Sequence, residues 1–217
     1  MTNRSIAAVV SGVMLVLGVA PSARAVPPDT AATFTNPQAQ ASLEAGVAAL
    51  KDADALEAQN SGTAGKAKEM APELKDAYAR ARTAFQDATQ SDPTMAEAWN
   101  GLGYSQRKLG DYDTALAAYS RALALKPGYP EATEYRGEAF LALNRIDDAK
   151  QAYLDLFATN RALADTLMNA MKNWIAAQKS GAHQASAADL SKWIEERAKI
   201  ASQTASLSRE GTAAGWR

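Results

Sequence analysis

Two short patterns in this sequence have residue types that could do chemistry on a bound molecule. The single histidine, His183, could act as a base or a metal ligand, but no acidic or thiol group accompanies it in the loop SGAHQA. The stretch GTAGKA, which starts at Gly62, is faintly similar to a phosphate-binding loop. Its glycines are too close together, and Ala67 stands where a hydroxyl group must bind magnesium. Neither pattern predicts a site.

Two further pairs of reactive residues have helical spacing. Ser105 and Lys108 match a serine-x-x-lysine nucleophile pair, but the companion motifs of that enzyme class are absent. Glu134 and Glu138 lie one helical turn apart and could hold a hard cation, yet no further ligands are near them in the sequence. Because no nucleophile, base and orienting group can be assembled, the sequence predicts a non-enzyme with no catalytic residue, metal or cofactor.

The first 25 residues have the layout of a secretory signal peptide. Arg4 supplies a positive charge, residues 6–20 are apolar, and the Ala-Arg-Ala ending at Ala25 suits a signal peptidase. The apolar stretch is shorter than the ~20 residues of a membrane-spanning helix, which argues against an uncleaved anchor. We expect cleavage after Ala25, a flexible linker over residues 26–38, and a mature protein of bacterial type that is periplasmic or secreted.

The composition narrows the range of partners. The 217 residues include 23 Lys+Arg and 24 Asp+Glu, and loss of residues 1–25 changes the net charge from −1 to −3. Such a chain has no basic field for nucleic acid or anionic lipid. No second apolar run follows the first, so we expect no stable membrane insertion of the mature chain. The absence of cysteine excludes disulfides and suits an oxidising compartment.

Five series of residues recur with one period of 34 residues, which indicates an internal repeat. The period of 34 residues predicts a helical hairpin that is repeated along the chain. In the stretch AEAWNGLGYSQRKLG, glycine would let a neighbouring helix approach closely, and a second glycine would end the helix. A proline then turns the chain into the next unit. The recurring positions are Ala81, Ala115 and Ala149; Phe85, Tyr119 and Tyr153; Pro93 and Pro127; Gly103 and Gly137; and Leu109 and Leu143.

This pattern resembles the tetratricopeptide repeat family, most strongly over residues 96–129 and well over residues 130–160. The second of these units departs from the family pattern at Thr133, Arg136 and Arg161. The resemblance implies an all-α fold, a short right-handed solenoid of helical hairpins, and a concave groove that holds peptides or helices of other proteins. The matching residues of the best unit are Trp99, Leu102, Gly103, Ala115, Tyr119 and Pro127.

The two ends of the repeat array depart from the family pattern. Residues 39–95 read as a degenerate unit, with a first helix over residues 40–59 and a long inserted loop over residues 60–72. Residues 161–207 read as an atypical helical hairpin that caps the solenoid. Ser186 and Asp189 are spaced like a capping box at the start of its second helix, and residues 208–217 are predicted to be a mobile tail.

The candidate binding site is the set of residues that face outward from the first helix of each repeat. The glutamates of the second unit would form an acidic strip beside the tyrosine and the basic residue of the first unit. Because an acidic surface attracts basic or amide-rich ligands, we expect a protein or peptide partner of that kind. Gly101, Glu131 and Tyr135 occupy the faces where some family members grip a terminal carboxylate, so that clamp is not expected. The predicted groove residues are Glu97, Asn100, Tyr104, Lys108 (or Arg107), Glu131, Glu134 and Glu138.

Three alternatives to the groove stay open at the level of the sequence. The acidic strip could be a solvated helix face without a ligand. Trp174, Trp193 and Trp216 could make the terminal hairpin a docking site or a dimer surface, although packing of the cap also explains Trp174 and Trp193. A small-ligand sensor or an enzyme, with the loop 60–72 as a lid, is the third alternative, and no catalytic group supports it.

Overall fold

The computed structural model describes residues 36–60, 70–178 and 180–213, and within these ranges the chain is helical with no strand. The predicted signal peptide, the linker up to residue 35, the centre of the inserted loop and Trp216 lie outside the described residues. The helices are α1 (Pro37–Asn60), α2 (Pro72–Ser91), α3 (Ala96–Lys108), α4 (Tyr112–Leu125), α5 (Pro130–Ala142), α6 (Ile146–Thr159), α7 (Arg161–Ala177) and α8 (Gln184–Ala213).

Consecutive helices pack as four hairpins, and each hairpin packs on the next. The pairs are α1 with α2, α3 with α4, α5 with α6, and α7 with α8, so the all-α solenoid predicted from the sequence is confirmed. The first helices α1, α3, α5 and α7 also contact one another in that order. They form a continuous inner layer, while the second helices lie outside it. The right-handed sense of the superhelix stays a prediction.

The turns inside two hairpins use the same backbone device at equivalent positions. Gly110 follows α3 with a φ of 88°, and Asn144, which lies 34 residues later, follows α5 with a φ of 56°. Glycine adopts this left-handed conformation without strain, and asparagine is among the best substitutes. The prediction that Gly110 ends its helix is confirmed. Asp111 precedes α4 without capping it through its side chain, and it pairs with Arg82 instead at 3.2 Å.

Close approach of helices in the core depends on glycines that face aromatic rings. A Cβ atom at Gly103 would lie 2.7 Å from Cε1 of Tyr119, which is fully buried. A Cβ atom at Gly101 would lie 2.5 Å from Cε1 of Phe85, which also packs against Gly46 of α1. Tyr119 therefore packs between the two helices of one hairpin, α3 and α4. Phe85 of α2 instead packs against the first helices of two hairpins, α1 and α3.

The terminal hairpin continues the core and closes it. Leu167 and Met171 of α7 and Leu190 of α8 are buried in the same cluster as the core of the preceding two hairpins. Trp193 packs edge-on against Tyr153, with ring centroids 5.5 Å apart. This contact supports the interpretation in which Trp193 packs the cap.

The capping prediction for α8 is wrong. The helix begins at Gln184, two residues before Ser186, and the backbone N–H of Ala187 donates to the carbonyl of His183. Ser186 therefore lies inside the helix and cannot cap it together with Asp189. The left-handed turn at Gly181, with a φ of 119°, sets this earlier start. The helix also continues to Ala213, through part of the predicted tail.

A search for bilayer-crossing segments covered the described ranges of the chain. None of the helices there combines the length and the apolarity that crossing a membrane requires.

Candidate protein-binding groove

The inner layer of first helices presents one surface built from all four hairpins. A depression of about 350 Å³ lies across the carboxyl-terminal halves of these helices. It receives Glu57 from α1, Lys108 from α3, Glu138 from α5 and Trp174 from α7. We call this surface, with the tyrosines beside it, the groove. The sequence predicted that a partner binds on the surface of the first helices.

Three tyrosine rings form an aromatic row along the groove. Tyr104 of α3 lies edge-on to Tyr135 of α5 with ring centroids 4.9 Å apart, and Tyr78 of α2 lies 6.4 Å from Tyr104 on the other side. Burial, with the nearby charge of Asp54, raises the pKa of Tyr104 to about 12. The rings are therefore neutral at physiological pH, and they offer apolar faces between hydroxyl groups.

Two cations lie over this aromatic row, and each is paired with a carboxylate from a neighbouring hairpin. Arg107 pairs with Glu138, and its Cζ lies 5.2 Å and 5.4 Å from the ring centroids of Tyr104 and Tyr135. Lys108 pairs with Glu57, and its Nζ lies 5.2 Å from the ring centroid of Tyr78. The pairs connect α1 to α3 and α3 to α5, so they fix the spacing of the inner layer.

The pKa values in these pairs show which interaction prevails. Burial opposes the charged form of Arg107, but the charge of Glu138 outweighs it and the pKa of Arg107 is raised. Burial likewise opposes the charged form of Glu57. Hydrogen bonds from Lys108 and Tyr78 outweigh it, so the pKa of Glu57 is lowered. The pairing thus favours the charged forms of Arg107 and Glu57.

Glu134 differs from the position that the sequence predicted for it. Its side chain is only 2% exposed, so it does not face outward as part of an acidic strip. Burial and the neighbouring charge of Glu138 raise the pKa of Glu134 to about 8, although Arg107 acts in the opposite direction. Glu134 is thus mainly protonated at pH 7. The first helices pack closely enough to cover this position, which the spacing of charged residues along one helix could not reveal.

The other predicted groove residues fall into two groups. Tyr104, Lys108 and Glu138 lie together in the groove. Glu97 and Asn100 lie toward the amino-terminal end of α3, where Glu97 pairs with Lys126 at 3.0 Å and the Asn100 amide donates to the Tyr129 hydroxyl at 3.5 Å. Glu131 is exposed at the start of α5. The predicted set therefore spans the length of α3 and α5 rather than one compact site.

Four groove residues were missed by the sequence analysis. Tyr78 comes from a second helix, and Asp54, Glu57 and Trp174 come from the two helices that depart most from the repeat pattern. Asp54 and Glu57 are three residues apart on α1, which is helical spacing. That spacing would have identified them if α1 had been aligned with α3 as a first helix.

The fold and the groove define a class of protein: an α-solenoid of helical hairpins with a depression on its inner layer of helices. The model of the tetratricopeptide repeat family matches this chain twice, over residues 76–130 and over residues 102–165. Residues 76–165 therefore carry tetratricopeptide repeats. Repeats of this family generally mediate protein–protein interactions. No curated protein matched the chain in sequence.

Proposed function

We propose that this protein is a periplasmic scaffold or adaptor that holds a segment of a partner protein in the groove. The observation that carries the proposal is that all four first helices contribute side chains to one depression, in which aromatic faces lie beside paired charges. Aromatic and arginine side chains in a partly enclosed surface are typical of residues that dominate binding energy at protein interfaces.

The charge of the groove favours a basic segment. Asp54, Glu57 and Glu138 are three carboxylates beside the tyrosine row, whereas Arg107 and Lys108 are its two cations. Glu134 adds no charge while it is protonated. The groove thus has one negative charge in excess, so a Lys- or Arg-containing segment gains complementarity.

The α7 end of the groove favours an apolar contact in the same segment. Trp174 and Ala170 of α7 line the depression opposite Met70, which precedes α2. Trp174 is half-buried, so part of its ring faces the solvent-filled space. A partner segment that places an apolar side chain here and a basic side chain near Asp54 would use both ends of the groove.

The groove is tested by a quantitative crosslinking pull-down of the tagged protein from its own cells. We expect Asp54→Lys to reduce recovery of the specific partner about tenfold, because the variant replaces a carboxylate near Tyr104 by a cation that repels a basic segment. Asp87→Lys is the matched control, since Asp87 is exposed on α2, outside the inner layer, and undergoes the same change of charge. It should retain the partner.

The helical content of both variants is compared by circular dichroism, so that unfolding is distinguished from loss of binding. If Asp54→Lys stays folded and recovers the partner as well as Asp87→Lys does, the groove is not the binding surface. A partner lost equally in both folded variants would also contradict the proposal.

Export to the periplasm is proposed from the sequence of residues 1–25 alone. We expect amino-terminal sequencing of the protein from the periplasmic fraction to begin at Val26, because the small residues before it suit a signal peptidase. A protein that is recovered only from the cytoplasm with Met1 or Thr2 at its amino terminus would contradict this part of the proposal.

We propose no chemical reaction for the groove. Arg107 pairs with Glu138 and Lys108 pairs with Glu57, so these groups do not form a nucleophile beside a base. Self-association through the terminal hairpin is the second candidate function. It rests on Trp174, whose ring is partly exposed, because Trp193 already packs against Tyr153.

A further inference from the structure

A second cavity lies in the terminal hairpin, apart from the groove. It occupies about 580 Å³ between α6, α7 and α8. Tyr153 and Phe157 of α6, Met168 of α7, and Ile194 of α8 give it an apolar wall. Its size falls within the range of roughly 300–1,000 Å³ that is usual for small-molecule sites.

Among the described residues, three cations and no acidic residue line this apolar cavity. They are Arg161 and Lys172 of α7 and Arg197 of α8. None of the three makes an ion pair or a side-chain hydrogen bond with another described residue. In the groove, by contrast, both cations have carboxylate partners. The donors of these three side chains are available to a ligand.

Two of the cations are held in position by aromatic rings. The Cζ of Arg161 lies 3.4 Å from the ring centroid of Phe157, and the Cζ of Arg197 lies 5.2 Å from the same centroid. Arg197 also lies 5.4 Å from the Tyr153 ring centroid. Stacking orders a guanidinium group but leaves its in-plane N–H donors unused. Two like charges on one ring repel each other until an anion joins them.

The position of Arg161 adds to the positive potential. It is the first residue of α7, and the first turn of that helix has no acidic residue. A cation at a helix amino terminus is unfavourable, because the helix dipole is positive there. Arg161 is also the residue that departs from the proline of the family pattern. A bound anion would relieve both unfavourable interactions.

From these observations we propose that the cavity binds a small amphiphilic carboxylate, of the fatty-acid class. The carboxylate accepts hydrogen bonds from Arg161, Arg197 and Lys172 at the rim, and the hydrocarbon chain lies against Phe157, Met168 and Ile194. Bidentate hydrogen bonding is the geometry that guanidinium and carboxylate groups favour. An anion without an apolar body would leave the wall exposed, and an apolar molecule without a charge would leave the donors unused.

Isothermal titration calorimetry of the full mature chain with dodecanoate tests this proposal. The titration is done in detergent-free buffer and below the micelle concentration of dodecanoate. We expect saturable binding of one dodecanoate per chain, and at least about tenfold weaker binding of dodecan-1-ol and of dodecyltrimethylammonium, which share the chain but lack the negative charge. Equal binding of all three compounds would overturn the proposal, because it would show apolar association alone.

Variants locate the site and separate binding from folding. Arg161→Gln and Lys172→Gln should each weaken dodecanoate binding about two- to fivefold, because each removes one partly exposed charge. Lys199→Gln is the matched control, since Lys199 is on α8 and exposed but does not line the cavity. Ala198→Trp fills the cavity from an exposed position and should abolish binding while the melting temperature stays unchanged. Three results would contradict the proposal. Folded Ala198→Trp could bind dodecanoate as well as the wild type does, or Lys199→Gln could weaken binding as much as Arg161→Gln does. The wild type could also prove to be a dimer that Ala198→Trp disrupts, which would make this surface a contact between two copies of the chain.

Discussion

Replacing Phe85 by alanine is expected to lower the free energy of unfolding by about 3–5 kcal/mol. The ring of Phe85 is 1% exposed, and it contacts Gly46 of α1 and Gly101 of α3. Its removal leaves a cavity where two hairpins meet, and the backbones of the first helices cannot close it without shifting. Urea denaturation followed by circular dichroism measures this effect, and Phe85→Leu should cost less because part of the volume remains.

A double-mutant cycle with Gly101 tests the same packing, because the effect of Gly101→Ala on stability should change sign when the Phe85 ring is removed. Gly101→Ala alone should destabilise the protein by about 1–3 kcal/mol, because the added methyl group would overlap the Phe85 ring. In the Phe85→Ala background the methyl group enters vacated space, and alanine favours the helix by up to about 1 kcal/mol. Gly101→Ala should then be neutral or stabilising. A loss of the same size in both backgrounds would show that the ring does not pack against this glycine.

The second large effect is a pH dependence of stability that originates at Glu134. In the folded protein Glu134 keeps its proton up to a pKa of about 8, whereas the unfolded side chain loses it near the ordinary value of 4.5. Between these values the unfolded state releases a proton that the folded state holds, so stability falls as the pH rises through this window. Arg107 and Glu138 are the charged groups beside it. We expect a loss of roughly 2–5 kcal/mol between pH 5 and pH 8.

Glu134→Gln should remove this loss, because glutamine resembles the protonated carboxyl and cannot ionise. Urea denaturation at pH 5 should give similar stabilities for the variant and the wild type, and at pH 8 the variant should be the more stable. Glu131→Gln is the control, since Glu131 is exposed on the same helix. Parallel pH profiles for wild type and Glu134→Gln would contradict the assignment.

The fold was largely predictable because the residues that recur with the 34-residue period are those that pack against one another in each hairpin. Gly103 and Tyr119 recur in the pattern since one makes room for the other, and Gly110 recurs as Asn144 since both tolerate the left-handed turn. Both the glycine–tyrosine packing and the left-handed turn involve residues of one hairpin, so the sequence of that hairpin is enough to predict them. The start of α8 was mispredicted because Ser186 and Asp189 have the spacing of a capping box. The helix in fact begins at Gln184, just after the left-handed turn at Gly181.

The candidate site was only partly predictable because it is assembled between hairpins. Glu134 and Glu138 look alike in the sequence, as two acids on one helix face. Burial against the neighbouring helices raises the pKa of Glu134, while Glu138 pairs with Arg107 of another hairpin. Tyr78 reaches the groove from a second helix, and Asp54 and Trp174 reach it from α1 and α7, whose register the period does not fix. Which acids face a ligand is therefore a tertiary property.

The measurement that tests the central claim most directly is site-resolved photo-crosslinking in the cell. A photoreactive benzoylphenylalanine replaces Tyr104 or Trp174 in the groove, and Arg121 or Gln151 on the outer helices, in separate strains. Aromatic residues are replaced by an aromatic probe in the groove, so packing changes little there. We expect one and the same partner to crosslink from Tyr104 and from Trp174, and neither outer position to capture it. A partner that crosslinks from Arg121 or Gln151 but from neither groove position would contradict a groove-binding scaffold.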